Sequence, residues 1–168
     1  GIDFEARYSL NRMPIPGSLT FHALATHYTK AEITDLPGDE PRDILGFAGG
    51  DTIEQGYVKW TGNGNISYQL GGTRLNWNMR YIGKAGTASW AEDDITIGDR
   101  WYHNVRLSHS FEDLLGGDFE IFGGNNNLFN SKPPFFPSGT AGTQAPDTIP
   151  AYYDVFGREF FGGIRVNF

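Results

Sequence analysis

The sequence predicts an all-β fold: an antiparallel up-and-down sheet of about seven strands, of the kind that forms a segment of a transmembrane β-barrel. Three observations carry that expectation. Apolar and polar residues alternate with a period of two over successive stretches of about 9 to 12 residues, the length of a strand tilted across a hydrocarbon layer. The connections between these stretches alternate short and long, as brief turns at one barrel end and extended loops at the other would. Aromatic residues make up 15% of the chain and glycines number 23, which favours strands and tight turns over helices.

The first stretch, Ile2 to Leu10, sets Ile2, Phe4, Ala6, Tyr8 and Leu10 against Asp3, Glu5, Arg7 and Ser9. A turn over 11–17 follows, where Pro14 and Pro16 remove ladder donors and Gly17 permits reversal. The second stretch, about Ser18 to Ile33, places Leu19, Phe21, Ala23 and Ala25 opposite Ser18, Thr20, His22 and Thr26, with Leu24 and Tyr28 interrupting the polar side. Residues 34–56 read as one long loop.

The third stretch, Val58 to Leu70, sorts Val58, Trp60, Ile66, Tyr68 and Leu70 from Lys59, Thr61, Asn63, Asn65, Ser67 and Gln69. Asn63-Gly64 is a type I′ hairpin signal that would split it, but the period keeps its phase through the glycines and a single strand is expected. After the Gly71-Gly72 turn, Leu75, Trp77, Met79 and Tyr81 oppose Arg74, Asn76, Asn78 and Arg80. A loop over 84–99 leads to a fifth stretch, where Trp101, His103, Val105, Leu107, His109 and Phe111 oppose Arg100, Tyr102, Asn104, Arg106, Ser108 and Ser110. A short connection over 112–117 and a sixth stretch, Phe119 to about Gly124, precede the longest loop, about 125–153.

The terminal stretch places Phe160, Gly162, Ile164, Val166 and Phe168 on one face, with Glu159, Gly163, Arg165 and Asn167 on the other. Ending on an aromatic residue within such a strand fits the closing strand of a barrel, so Phe160, Ile164, Val166 and Phe168 are the expected barrel-closing positions. Trp60, Trp77, Trp101, Tyr8, Tyr68 and Tyr81 fall on the apolar face, most of them toward strand ends, as an interfacial belt requires.

Composition narrows the function. Cysteine is absent, which removes disulfide frameworks and thiolate metal sites. A net charge of -7 and a pI near 4.9 oppose a nucleic-acid partner, since phosphate neutralisation needs a basic surface. The mean hydropathy of -0.40 is compatible with a barrel, where only alternate strand residues meet lipid. The chain starts in strand-like alternation without an initiator Met or signal-peptide pattern, and it is expected to be a mature form or a fragment.

Asn127-Leu128-Phe129-Asn130-Ser131-Lys132-Pro133-Pro134, after the sixth stretch, and Tyr153-Asp154-Val155-Phe156-Gly157-Arg158, before the last one, together resemble the C-terminal strands of TonB-dependent outer-membrane receptors. The opening Gly1-Ile2-Asp3-Phe4-Glu5 with Tyr8, and Arg80-Tyr81-Ile82-Gly83, are similar to more upstream strands of that barrel. The resemblance implies that residues 1–168 are the C-terminal part of a larger barrel, with the plug domain and N-terminal strands missing. It implies multi-pass residence in the Gram-negative outer membrane and energy-coupled uptake of a scarce ligand of the ferric siderophore, cobalamin or glycan class. The implied partners are outer-membrane lipid, the remaining strands and plug of the same receptor, an inner-membrane energy-coupling complex, and the small transported ligand.

Catalytic motifs are absent from the sequence, and neither enzymatic activity nor a cofactor is expected. His22, His27, His103 and His109 invite a metal, but His103 and His109 share the apolar face with Trp101 and Phe111 and are expected near the interfaces. Glu92, Asp93, Asp94 and Asp99 lack EF-hand spacing and read as a solvated loop. Arg7, Arg74, Arg80, Arg106 and Arg165 recur on the polar faces as lumen-facing candidates, either lining a path for an anionic ligand or pairing with Asp3, Glu5, Glu120 and Glu159 or the plug. Phe129, Phe135, Phe136, Tyr152 and Tyr153 are either ligand contacts or loop packing. Two other functions fit the pattern: a complete eight-stranded structural or adhesive outer-membrane barrel, and a soluble β-sandwich that binds carbohydrate through Trp and Tyr.

Overall fold

A computed structural model describes residues 1–12, 14–34, 36–49, 57–87, 96–114, 117–135 and 148–167. Its strands are β1 (Ile2–Leu10), β2 (Ser18–His27), β3 (Glu32–Ile33), β4 (Arg42–Asp43), β5 (Phe47–Gly49), β6 (Trp60–Leu70), β7 (Thr73–Ile82), β8 (Ala85–Thr87), β9 (Thr96–Ile97), β10 (Arg100–Leu114), β11 (Gly117–Asn126) and β12 (Glu159–Asn167). The seven long ones form a single sheet in the order β1-β2-β6-β7-β10-β11-β12, every neighbour antiparallel. This is the expected up-and-down order. The sheet is open, with β1 and β12 as its two edges.

Register carries the alternation across the whole sheet. Tyr8 pairs with Phe21, Phe21 with Ile66, Ile66 with Trp77, Trp77 with Val105, Val105 with Asn125, and Asn125 with Phe160. One residue along, Ser9, Thr20, Ser67, Asn76 and Arg106 form a polar row on the opposite face. Because side chains alternate with period two, a one-residue slip between any two strands would send apolar residues to the polar face. The paired pattern therefore fixes the register.

The region around Asn63-Gly64 is continuous strand. Asn63 pairs with Leu24 on one side and Arg80 on the other, and Gly64 is not among the positive-φ glycines that a type I′ turn would require. The Met79 side chain lies over Gly64, where an added Cβ would meet Cε at 3.1 Å. The reversal falls at Gly71, with φ of 53°.

Several boundaries differ from the sequence reading. The second strand ends at His27, because Tyr28 donates its N–H to Lys59 O at 2.9 Å and the chain then leaves the sheet. Glu32–Ile33 instead pairs with Arg42–Asp43. The stretches 34–56 and 84–99 are not wholly loop: β5 pairs in parallel with β8, and β8 antiparallel with β9. β11 runs to Asn126, two residues past the expected end, because Asn125 and Asn126 still pair with Phe160 and Glu159.

The antiparallel order puts Leu10, Ser18, Leu70, Thr73, Leu114 and Gly117, the strand ends joined by short connections, at one end of the sheet, and His27, Trp60, Ile82, Arg100, Asn126 and Glu159, the strand ends joined by long ones, at the other. The buried core sits at that second end, where Val58, Ile82, Ala85, Ile97, Tyr102 and Tyr153 cluster with Ile149 and Tyr152 packed against them. Elsewhere the sheet has no second layer among the described residues.

Gly124 marks the tightest approach within the sheet. A Cβ there would collide with the Val105 carbonyl and the Phe161 ring. Gly124→Val is expected to destabilise the sheet by about 1–3 kcal/mol through overpacking. Gly98→Ala, whose Cβ would meet only the Arg100 guanidinium at 3.6 Å, should change stability by less than about 0.5 kcal/mol. Urea midpoints of the detergent-refolded protein measure both.

Candidate functional site

Three regions carry the side chains from which a function can be built: the polar face, the apolar face and the long-connection end. The register places Arg7, Arg74, Arg80, Arg106 and Arg165 on the same polar face. They do not converge on one point. Arg106 Nη2 donates to Glu120 Oε1 at 3.0 Å and Arg165 Nη1 to Glu120 Oε2 at 2.9 Å, so two guanidinium groups share one carboxylate. Arg106 also lies 4.4 Å from the Phe122 ring centroid.

The other arginines have separate surroundings. Arg74 Nε donates to Gln69 Oε1 at 2.7 Å, and Arg80 sits 4.9 Å over the Tyr102 ring. Arg7 faces His22 across the ladder, and the His22 ring nitrogen contacts Glu5 at 2.9 Å. Asp3 accepts from Thr26 Oγ1 at 2.7 Å. Of the carboxylates expected as partners for the arginines, Glu120 takes Arg106 and Arg165, while Glu5 meets His22 and Asp3 accepts from Thr26.

Among the described residues nothing covers most of the apolar face. Phe4 is 50% exposed, Tyr8 63%, Ile164 68% and Phe160 80%. Aromatic residues meet one another toward the long-connection end: Trp60 stacks on His27 at 4.2 Å and on Phe4 at 6.1 Å, and Tyr81 lies 4.7 Å from Trp101. Trp77 Nε1 donates to His103 Nδ1 at 3.2 Å, and Phe129 meets the same imidazole edge-on at 4.9 Å. Toward the short-turn end, His109 packs on Phe111 at 4.5 Å and shares a 2.7 Å hydrogen bond with Thr73 Oγ1.

Three histidines therefore stand on the apolar face and His22 on the polar one. No group of three His, Asp or Glu residues positioned to hold a metal occurs among the described residues. Glu92, Asp93, Asp94, Phe136 and Phe168 lie outside the described residues.

The long-connection end is held by contacts that sequence reasoning missed. Asn127, 2% exposed and with φ of 52°, accepts from Ser131 N at 2.7 Å and donates through Nδ2 to Asp154 Oδ2 at 2.8 Å and Ser131 O at 3.0 Å. Its own N–H reaches Asn104 Oδ1 at 2.9 Å. Asp154 Oδ1 accepts from Phe156 N and Gly157 N, and the Asp154 N–H donates to the Tyr102 hydroxyl at 3.2 Å. Asn130 Oδ1 accepts from Arg158 N at 3.2 Å. The Asn-Leu-Phe-Asn segment and the Tyr-Asp-Val-Phe-Gly-Arg segment are thus bonded to each other. Both segments stand out in the sequence, but their contact spans 27 positions and has no local periodic signal.

Tyr153 is buried, and its hydroxyl has no hydrogen-bond partner among the described residues. Burial pushes its phenol up to about 12. Burial also raises the neighbouring Tyr152 phenol. Tyr153 is a member of the buried cluster, and the half-buried Tyr152 packs against it.

With the geometry in hand, comparison with known proteins finds no match: no family model, no curated protein and no solved structure is similar to this chain.

The raised Tyr153 phenol has a definite sign for stability. Its stabilising contribution is complete below the ordinary tyrosine value of about 10 and is lost as pH rises from there to about 12. Tyr153→Phe should remove that alkaline loss. Because the deleted hydroxyl is buried and unpartnered, the variant should be as stable as the parent at neutral pH or more so. Thermal unfolding followed from pH 8 to 12 measures both effects.

Proposed function

We propose that the chain is the C-terminal part of an outer-membrane β-barrel receptor that takes up a scarce ligand of the ferric siderophore, cobalamin or glycan class, driven by energy coupled from the inner membrane. The observation that carries this reading is the uncovered apolar face of a seven-stranded antiparallel meander. An exposed face of that extent in water would be an aggregation site. In lipid it is the solvent-facing side of the protein.

The dimensions agree. Eight residues separate Trp60 from Tyr68 and ten separate Trp101 from Phe111. At a strand rise of about 3.3 Å and a tilt of about 45° these pairs lie roughly 19 and 23 Å apart along the membrane normal, against an apolar band of about 25 Å in such barrels. Small and aliphatic residues such as Ala23, Leu107, Ile121 and Ile164 fill the interval between the aromatic ends.

The two open edges support membership in a larger barrel, since an unpaired edge in hydrocarbon leaves backbone groups unsatisfied at several kcal/mol each. The polar face then looks into the lumen, where Arg7, Arg74, Arg80, Arg106 and Arg165 meet the plug or an anionic ligand. The two other functions are less well supported. A sandwich needs a second sheet over the apolar face, and the remaining strands are two or three residues long. An eight-stranded barrel needs another strand within 127–158, where none occurs among the described residues.

Uptake by cells carrying the full receptor tests the function. Saturable accumulation of one of the three ligand classes, abolished when the inner-membrane proton gradient is dissipated, is expected. Accumulation that is non-saturable and indifferent to the gradient would identify a passive pore instead.

Membrane placement makes a separate prediction. Ile164→Arg puts a cation on the lipid side and should cost roughly 2–4 kcal/mol near mid-bilayer, whereas Asn167→Arg on the lumen side should cost little. Folding yields in lipid that rank the two substitutions in the opposite order would reverse the assignment of faces.

A further inference from the structure

Three asparagines form one row across the polar face. Asn65 of β6 pairs with Asn78 of β7, and Asn78 with Asn104 of β10. Directly paired residues lie about 4.5–5.5 Å apart between their Cα atoms, so the row spans roughly 10 Å with its three side chains on the same side of the sheet. All three are half-buried.

The backbone fixes which end of each amide is free. Asn78 Nδ2 donates to Gly64 O at 3.2 Å, which leaves Oδ1 as an acceptor. Asn104 Oδ1 accepts from Asn127 N at 2.9 Å, which leaves Nδ2 as a donor. The Asn65 amide makes no hydrogen bond among the described residues and offers both.

The charges beside the row are engaged elsewhere. His22, which pairs with Asn65 from β2, contacts Glu5 at 2.9 Å. Arg106, the next residue on this face of β10, donates to Glu120 at 3.0 Å. On β6, β7, β10 and β11 the rings on this face are Tyr102 and Phe122, and Arg80 and Arg106 lie over them at 4.9 and 4.4 Å. Toward the long connections the row is bounded by Tyr102 and Ile82, which stand on this same face and pack with Val58 and Tyr153 in the buried cluster.

This arrangement separates the three ligand classes. A negatively charged ferric complex presents acceptor oxygens, and the free Asn78 Oδ1 would meet it oxygen to oxygen. A corrin brings a broad apolar face, and the rings on these strands are already covered. A sugar hydroxyl both donates and accepts, so it can give to Asn78 Oδ1 while taking from Asn104 Nδ2. We propose that the row binds a neutral oligosaccharide, with two linked sugar rings lying across β6, β7 and β10, and that a glycan is the ligand carried. The arginines of this face are then left to their partners on the sheet and to the plug. This inference rests on the reading of the chain as part of an uptake receptor and narrows its ligand to one class.

The test titrates the purified full receptor with an array of neutral and acidic oligosaccharides, a tris-catecholate ferric complex and cyanocobalamin. Saturable binding of a neutral oligosaccharide and of neither other probe is expected. Asn65→Leu should weaken that binding about five- to tenfold, the size of one or two hydrogen bonds. Asn65→Ala removes the same amide without adding bulk and should weaken it equally, and heat-modifiable migration on gels reports that each variant has folded. Saturable binding of the ferric complex or of cyanocobalamin instead would overturn the glycan assignment and leave the receptor reading standing. Binding of no probe would overturn both. Oligosaccharide binding that both folded variants leave unchanged would overturn the row as its site.

Discussion

The inter-strand ladder that carries one two-residue period through seven strands is the constraint on which the rest of the structure depends. Each backbone pairing fixes which residues share a face, and the pairing of β1 with β2 therefore bears on what stands beside Trp77 and Phe160, several strands away. Apolar side chains are collected on one side of the sheet without being buried. The usual driving force for a layered domain is burial of that face against a second layer, and among the described residues no such layer covers most of the sheet. What stabilises the sheet is the ladder itself together with whatever solvent or partner the apolar face meets.

The polar face follows from the same constraint. Charges at alternate positions are brought into cross-strand range, and Glu120 ends up between Arg106 and Arg165 on its two neighbouring strands. One carboxylate with two guanidinium groups leaves that cluster with a net positive charge in a chain that is acidic overall. Arg165 and Arg106 keep much of their surface in solvent while Glu120 is largely covered, and solvent-screened pairs contribute little to stability. Their larger effect is on the potential of the surface they line.

The strands, their order and the division of their faces were legible in the sequence because they rest on a local period. Even Asn63-Gly64, with a hairpin dipeptide inside a strand, resolved in favour of the period, since register on both sides of β6 holds the backbone extended. The small elements were not legible. Glu32–Ile33, Phe47–Gly49 and Thr96–Ile97 are too short to show a period, and β5 and β8 pair in parallel across the whole β6–β7 hairpin. The arginines were placed on the correct common face, but which of them shared a carboxylate depended on register rather than spacing. Val58, counted with the strand face that holds Trp60, proved instead to belong to the buried cluster beyond the sheet, 1% exposed.

The last strand shows how the two ends of the molecule depend on each other. β12 pairs with β11 alone in this sheet, and it is delivered by the connection 127–158. Closing a loop of that length costs roughly 3 kcal/mol in chain entropy before any contact is made. A single edge pairing is a weak anchor against that cost. The hydrogen bonds of Asn127 and Asp154 shorten the free loop at both of its ends, because Asn127 follows directly on β11 and Asp154 stands just before β12. Asn127 tolerates the left-handed conformation that turns the chain out of β11, a conformation asparagine adopts more readily than most residues. The lock at the long-connection end is therefore what presents β12, with Phe160, Ile164 and Val166, in register for its pairing with β11.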